Sequence, residues 1–226
     1  MWGPRLWICV GRQRSRPQGR LADATRALLG LQEPLGAIDR QEWIEDVEID
    51  LTLNELTQVV RGLLKGNGNM LERVLDPNPL RADEGVAELR ERVLRNLCRR
   101  SHAHYRGFAT SQRQALDPAA PQAKKVLYVL RTCLTGAHLL ETGEVVPDLT
   151  RLWSRYEFPE VPELIEHKRS AERGLLDASW IERIPALLDR AFARLDQAYA
   201  SSSLPEQPAE PELLEEWLIA RRLAQL

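Results

Sequence analysis

The chain has no apolar run near the roughly 20 residues a membrane-spanning helix needs, which excludes a helical membrane protein and predicts no membrane partner. It carries only three cysteines, Cys9, Cys98 and Cys133, without the close-spaced pairs of a zinc site. Cys98 and Cys133 fall on apolar helix faces, where a buried, inert thiol is expected. Lysine is scarce, with 4 against 27 arginines. Charge is nearly balanced at −2, so no global field directs the chain to nucleic acid or acidic lipid. The N-terminus is basic but has no continuous apolar core and no cleavage site, so no signal peptide is read and a cytoplasmic location is expected. What is present is ordinary for a folded protein: 226 residues, 43% hydrophobic and 28% charged, enough for one large domain or two small ones.

One strand is convincing. Val47, Ile49, Leu51 and Leu53 alternate with Asp46, Glu48, Asp50 and Thr52, the period of two of a half-covered strand. Thr52 followed by Glu55 then resembles a capping box. Leu56, Val59, Val60, Leu63 and Leu64 form a helical stripe that ends at Gly66. After a "KGNGN" turn, Met70 to Leu75 reads as a short helix, and everything beyond it reads as helical. Asp83 is positioned to cap a helix presenting Val86, Leu89, Val93 and Leu97. The strongest periodicity runs through Val126, Val129, Leu130, Cys133, Leu134, Ala137 and Leu140 and stops at Gly143. Pro185 is expected to start or kink a turn. "SSSLPEQPAEP" reads as a loose linker, and Pro211 starts a last helix whose stripe of Leu213, Leu214, Trp217, Leu218 and Leu223 needs a partner surface.

Candidate chemistry is sparse. His102 and His104 flank Ala103 and face different ways on a helix, so joint metal binding is not expected. Arg131 with His138, or Arg99 with His104, matches a weak Arg–His spacing of some helical ribonucleases. On the strand, Glu48 and Asp50 share a face with Asp46. They are either a solvent-facing edge or oxygen ligands of a divalent cation. The least ordinary stretch is "ICVGRQRSRPQGR", Ile8 to Arg20, with four arginines and no acid. Taken alone, it reads as a basic arm for nucleic acid.

The blocks "ADATRALLGL", "EIDLTLNELTQVVRGLLKGNGNMLERVLDPNPL", "YRGFATSQ" and "VLRTCLTGAHLLETGEVVPDL" together resemble a bacterial family of nucleotidyltransferases in the DNA polymerase beta superfamily. The resemblance runs from Leu21 to about Asp177. It implies a Gly-Ser-Arg loop that holds a nucleoside triphosphate, an Asp-x-Asp pair on the next strand, and a third carboxylate from a later strand, all serving Mg2+. The acceptor, whether RNA, protein or a small molecule, stays open. Gly3-Pro4-Arg5-Leu6-Trp7 matches the loop with Pro in place of Ser, so Gly3 and Arg5 are the expected nucleotide-binding residues. Asp50 is the expected third carboxylate and metal ligand, with Glu48 as its understudy. The family's first helix and strand would precede Met1.

The Asp-x-Asp pair is missing. One permitted back-translation of Trp7 to Leu21, read one base on, spells "GFASDASDLDLRGV", which restores the motif in register. The resemblance therefore implies two compensating frameshifts, near Trp7 and Leu21, in genome or in sequencing. The expected fold is α+β: a truncated remnant of the nucleotidyltransferase α/β domain (residues 1–53), a helical domain (54–203), and a linker with a C-terminal helix (204–226). The expected function is metal-dependent nucleotidyl transfer, impaired in this chain. Two alternatives stand beside it. One is a helical binding or toxin–antitoxin-type partner working through the region from Glu55 onward, and the other is a ribonuclease using Arg131 and His138.

Overall fold

The structure is a computed structural model and describes residues 18–21, 36–44, 47–77, 84–170 and 175–224. The chain forms two compact units, one of residues 1–97 with 208–226, the other Cys98–Gln207. The expected α+β class holds, with a small sheet and a helical remainder. The unit boundaries fall elsewhere than the expected breaks after residues 53 and 203. The helices that follow the strand, and the last helix, belong with the sheet.

In the first unit, β1 (Gln18–Leu21), β2 (Ala37–Ile44) and β3 (Val47–Glu55) form a sheet of order β1-β3-β2. β2 and β3 are antiparallel, pairing Ile44 with Val47 and Ala37 with Asn54, while β1 runs parallel to β3. The alternating strand predicted around Asp50 is β3, extended two residues to Glu55. β2 was not legible because "AIDRQEWI" mixes polar and apolar residues on both of its faces.

Helix α1 (Leu56–Leu64) follows β3 without a loop and buries Leu56, Val59, Val60 and Leu63, as its stripe predicts. Burial of each such side chain stabilises by about 1.5–3 kcal/mol relative to exposure. The predicted capping box is corrected. Thr52 lies within the strand and donates to Asp39, and Glu55 itself caps α1 by accepting from the Thr57 amide at 2.7 Å. Gly66 takes φ 70° in the turn that follows, a region glycine enters at little cost. α2 (Gly68–Leu75) begins at an Asn67 cap, and α3 (Glu84–Arg95) buries Val86, Leu89 and Val93. Asp83 lies outside the described residues.

The last helix, α9 (Pro211–Leu223), supplies its own partner surface by packing on α1 and α3 with Leu214 and Trp217 buried. Its Arg222, only 8% exposed, pairs with Glu55, 3% exposed, and also donates to Thr57 Oγ1 at 3.2 Å. The Glu55 carboxylate therefore serves both an orphan helix amide and a guanidinium.

The segment expected to be a loose linker is tied down instead. Asn96 clasps the Glu210 backbone, donating to its carbonyl at 2.8 Å and accepting from its amide at 2.9 Å, and Arg95 pairs with the Glu210 carboxylate. A composition of Ser, Pro and Glu removes intrinsic structure, yet leaves backbone groups that a fixed amide side chain can hold.

In the second unit, α5 (Ala123–Thr142) is the central helix, enclosed by α4 (Ser101–Gln114), α6 (Leu149–Leu152), α7 (Glu160–Ser170) and α8 (Ala178–Ser201). Its predicted apolar stripe is entirely buried, and burial extends almost all round, which is why it reads as hydrophobic over most of its length. Gly136 permits the closest approach: a Cβ there would meet Tyr105 at 2.8 Å. The helix ends at Gly143 in the left-handed region, φ 74°, as the sequence predicts. Pro185 starts no new element. It sits inside α8, where its missing amide removes one rung while buried Ile184, Leu187 and Leu188 hold the helix to the core. Among the described residues no helix is long and apolar enough to cross a membrane.

Arg222→Ala strands the Glu55 charge in the core. It is expected to cost about 3–5 kcal/mol of stability in urea titration. Glu55→Gln combined with Arg222→Met removes both charges and is expected to cost clearly less. Equal losses in the two variants would contradict the buried pair.

Candidate functional site

The expected metal-binding residues Glu48 and Asp50 both lie on β3, in register with Trp43 and Gln41 of β2. Strand alternation puts Asp39, Gln41 and Trp43 of β2 on one face, shared with Thr52 of β3. On that face Thr52 Oγ1 donates to Asp39 Oδ1 at 2.7 Å, and Trp43 is 68% exposed. On this side β2 presents a polar, open surface that includes Asp39. Asp39 was not singled out from sequence; the alternation in β2 is too weak to reveal a strand, and without the strand its register to Thr52 is invisible.

The other edge of β3 pairs with β1, matching Gln18 to Thr52 and Leu21 to Glu55. β1 is the end of the arginine-rich segment. Gly3 and Arg5, like the rest of the segment before Gln18, lie outside the described residues. Among the described residues no group of three or more His, Cys, Asp or Glu side chains is close enough to hold a metal ion.

The histidines of the second unit serve the helical core. His138 is buried, and its Nδ1 lies 2.9 Å from the Tyr156 hydroxyl, which donates to Glu141 at 3.2 Å. The single hydroxyl proton goes to the carboxylate, so the imidazole Nδ1–H donates to the phenol oxygen. Glu141 is also paired with Arg194. Burial, reinforced by Arg155 and opposed by Glu144 and Glu141, holds the His138 pKa below its usual value. Burial, then Glu141, pushes the Tyr156 phenol up to about 12. This relay joins the end of α5 to the segment after α6 and to α8.

Arg131 instead lies with its guanidinium carbon 5.0 Å from the Tyr128 ring centroid. The Arg131–His138 pair expected for a ribonuclease is thus divided between two environments, and the imidazole is enclosed. Arg99 and His104 are likewise separated. Arg99 pairs with Glu206 at 2.8 Å, whereas the His104 ring stacks on Phe108 at 5.9 Å. His102 contacts Asp196 at 2.8 Å and stacks on Tyr199. Burial works against the Asp196 anion, but hydrogen bonds from Arg106 and His102 leave its pKa lowered. Cys98 and Cys133 are free and buried, and desolvation raises both thiols, Cys133 to about 12. These are the inert thiols expected.

The sequence profile of the RNA repair pathway DNA polymerase beta family matches residues 22–220. The uncharacterized protein MJ0002 of Methanocaldococcus jannaschii is 27% identical over 164 residues, covering 71% of this chain and 67% of that protein. Among solved structures, a nucleotidyltransferase-like protein from Exiguobacterium sibiricum aligns with 97% of this chain and 74% of its own, at 12% identity and a TM-score of 0.33.

Because the folded His138 binds its proton more weakly than the unfolded residue, acid favours unfolding. The stability that neutral His138 contributes is full above about pH 6.5 and is lost as pH falls through the lowered folded pKa. His138→Gln is expected to flatten the decline in thermal midpoint between pH 7 and 5. An unchanged decline in that variant would contradict the buried relay.

Proposed function

The chain belongs to the RNA repair pathway DNA polymerase beta family, a nucleotidyltransferase family as the sequence resemblance implies, and from that premise we propose a split between lineage and polypeptide. The lineage transfers a nucleotidyl group from a nucleoside triphosphate to an acceptor. This polypeptide, as written, does so weakly or not at all.

One observation carries the proposal. The family match begins at residue 22, immediately after the acid-free stretch in which an Asp-x-Asp pair belongs. β1, at the end of that stretch, pairs with β3, the strand that carries Asp50. The residues preceding β1 are instead Arg14, Ser15, Arg16 and Pro17. An intact carboxylate set would hold magnesium, which would supply charge stabilisation at the attacked phosphorus. The donor set here does not fit it. Asp50 and Glu48 remain on one strand, Asp39 is engaged by Thr52, and Arg14 and Arg16 stand in the sequence where the pair is expected. No catalytic step is therefore assigned to this chain.

In the intact lineage, Gly3 and Arg5 belong to the loop that holds the triphosphate, and Asp50 is the third carboxylate. The family description favours RNA as the acceptor. A cytoplasmic setting goes with this reading and with two unpaired thiols.

Incubation with labelled nucleoside triphosphates, RNA and Mg2+ is expected to give no transfer above background. Replacing residues 8–21 by the sequence GFASDASDLDLRGV is expected to raise transfer about a hundredfold or more, the scale of several kcal/mol of metal assistance. Robust transfer by the unaltered chain that is lost in Asp50→Ala would refute the proposal.

A further inference from the structure

Seven arginines and lysines but one acid occur between Arg99 and Leu140. Three of the seven are satisfied by acids from elsewhere in the second unit: Arg99 by Glu206, Arg106 by Asp196 and Arg113 by Asp189. Those pairs face α8 and the segment after it. The opposite flank of α4 and the adjoining flank of α5 carry a different set. His104 stacks on Phe108 at 5.9 Å, and Phe108 meets Tyr128 edge-on at 5.8 Å. Arg131 lies over Tyr128 at 5.0 Å. Lys124, Tyr128 and Arg131 follow one another at helical spacings of four and three, and Lys125 donates to the Ala115 carbonyl at 3.2 Å. Tyr128 is 37% exposed although its neighbours Leu127 and Val129 are buried.

No Asp or Glu occurs in α4, nor in α5 before Glu141. Glu141 is paired with Arg194, and the single acid between the helices, Asp117, accepts from the Ala119 amide. The flank therefore combines flat aromatic faces, a guanidinium laid over a ring, and cations on two helices whose own sequences carry no acid before Glu141.

We propose that this α4–α5 flank, built on Phe108, Lys124, Tyr128 and Arg131, binds single-stranded nucleic acid. Aromatic faces and guanidinium planes stack bases without regard to their identity, while neighbouring cations hold the phosphates. Lys124 to Arg131 spans about 10 Å at 1.5 Å rise per residue, room for one or two nucleotides. A duplex keeps its bases stacked on each other and offers this surface only phosphates. The proposal does not depend on the nucleotidyl-transfer reading, since it uses no residue of the sheet.

The test is fluorescence anisotropy of the full chain with labelled 12-mers of uridine, deoxythymidine and a matched duplex. Both single strands are expected to bind more tightly than the duplex and to weaken as salt rises. Tyr128→Ala and Lys124→Glu change exposed side chains, and each is expected to weaken binding about tenfold with the thermal midpoint unchanged. Lys168→Glu, on α7, is the control and should bind normally. The arginine-rich segment is removed as a source of signal by changing Arg12, Arg14 and Arg16 to Gln; the Tyr128 dependence is expected to persist in that background. Duplex preference would overturn the proposal, as would full affinity in both Tyr128→Ala and Lys124→Glu, or binding abolished by the Arg12, Arg14 and Arg16 changes alone.

Discussion

Glu55 and Arg222 lie 167 positions apart and meet in the interior of the first unit. A lone carboxylate or guanidinium there would carry several kcal/mol of desolvation cost, so each requires the other. The consequence reaches beyond the pair. Glu55 ends the strand that bears Asp50 and caps the helix that follows it. Its carboxylate fixes the strand-to-helix junction on one side and the last helix on the other. Asn96 repeats the device at the other end of that helix by holding the backbone of Glu210. A chain that leaves the first unit at Leu97 and returns at Pro208 is thereby closed by two polar contacts set among apolar side chains.

This arrangement explains how a scaffold and its chemistry come apart. The contacts that close the first unit, from the buried stripe of α1 to the Glu55–Arg222 pair, use residues from Glu55 onward. A pair of aspartates poised for a cation adds mutual repulsion when the ion is absent. In the proposed reading, replacing such a pair by neutral or basic residues would remove function without removing packing. On that same reading, nucleotidyl transfer asks for carboxylates from neighbouring strands at one place, with Asp50 on β3 as one of them. The histidines of the second unit are engaged elsewhere, by Tyr156, Asp196, Phe108 and Trp180.

Much of this was legible in the sequence where one periodicity dominated. The stripe of α5, its glycine stop, the helix from Pro211 and the strand through Asp50 follow directly from spacing. The misses have physical causes. Glu55 stood at a position where two capping schemes are possible, and only the hydrogen bond to Thr57 and the approach of Arg222 select one. Pro185 lies within a helix because burial on both sides of it outweighs one lost rung. The segment 201–211 had the composition of a linker, but composition is silent about a clasp supplied by Asn96, more than a hundred residues away. Of the candidate site, the strand placement of Glu48 and Asp50 was legible, whereas the contribution of Asp39 depended on a register that its own strand does not advertise. The family resemblance was carried by ordered blocks, and those blocks lie within the matched span.

We propose that the arginine-rich segment is a misframed catalytic strand, which the nucleotide sequence of codons 7 to 21, read in all three frames, decides. One alternative frame is expected to encode two aspartates separated by a single residue, followed within a few codons by the frame of Ala22. Alternative frames without that pair would contradict it, and the arginines would then belong to the protein's own design.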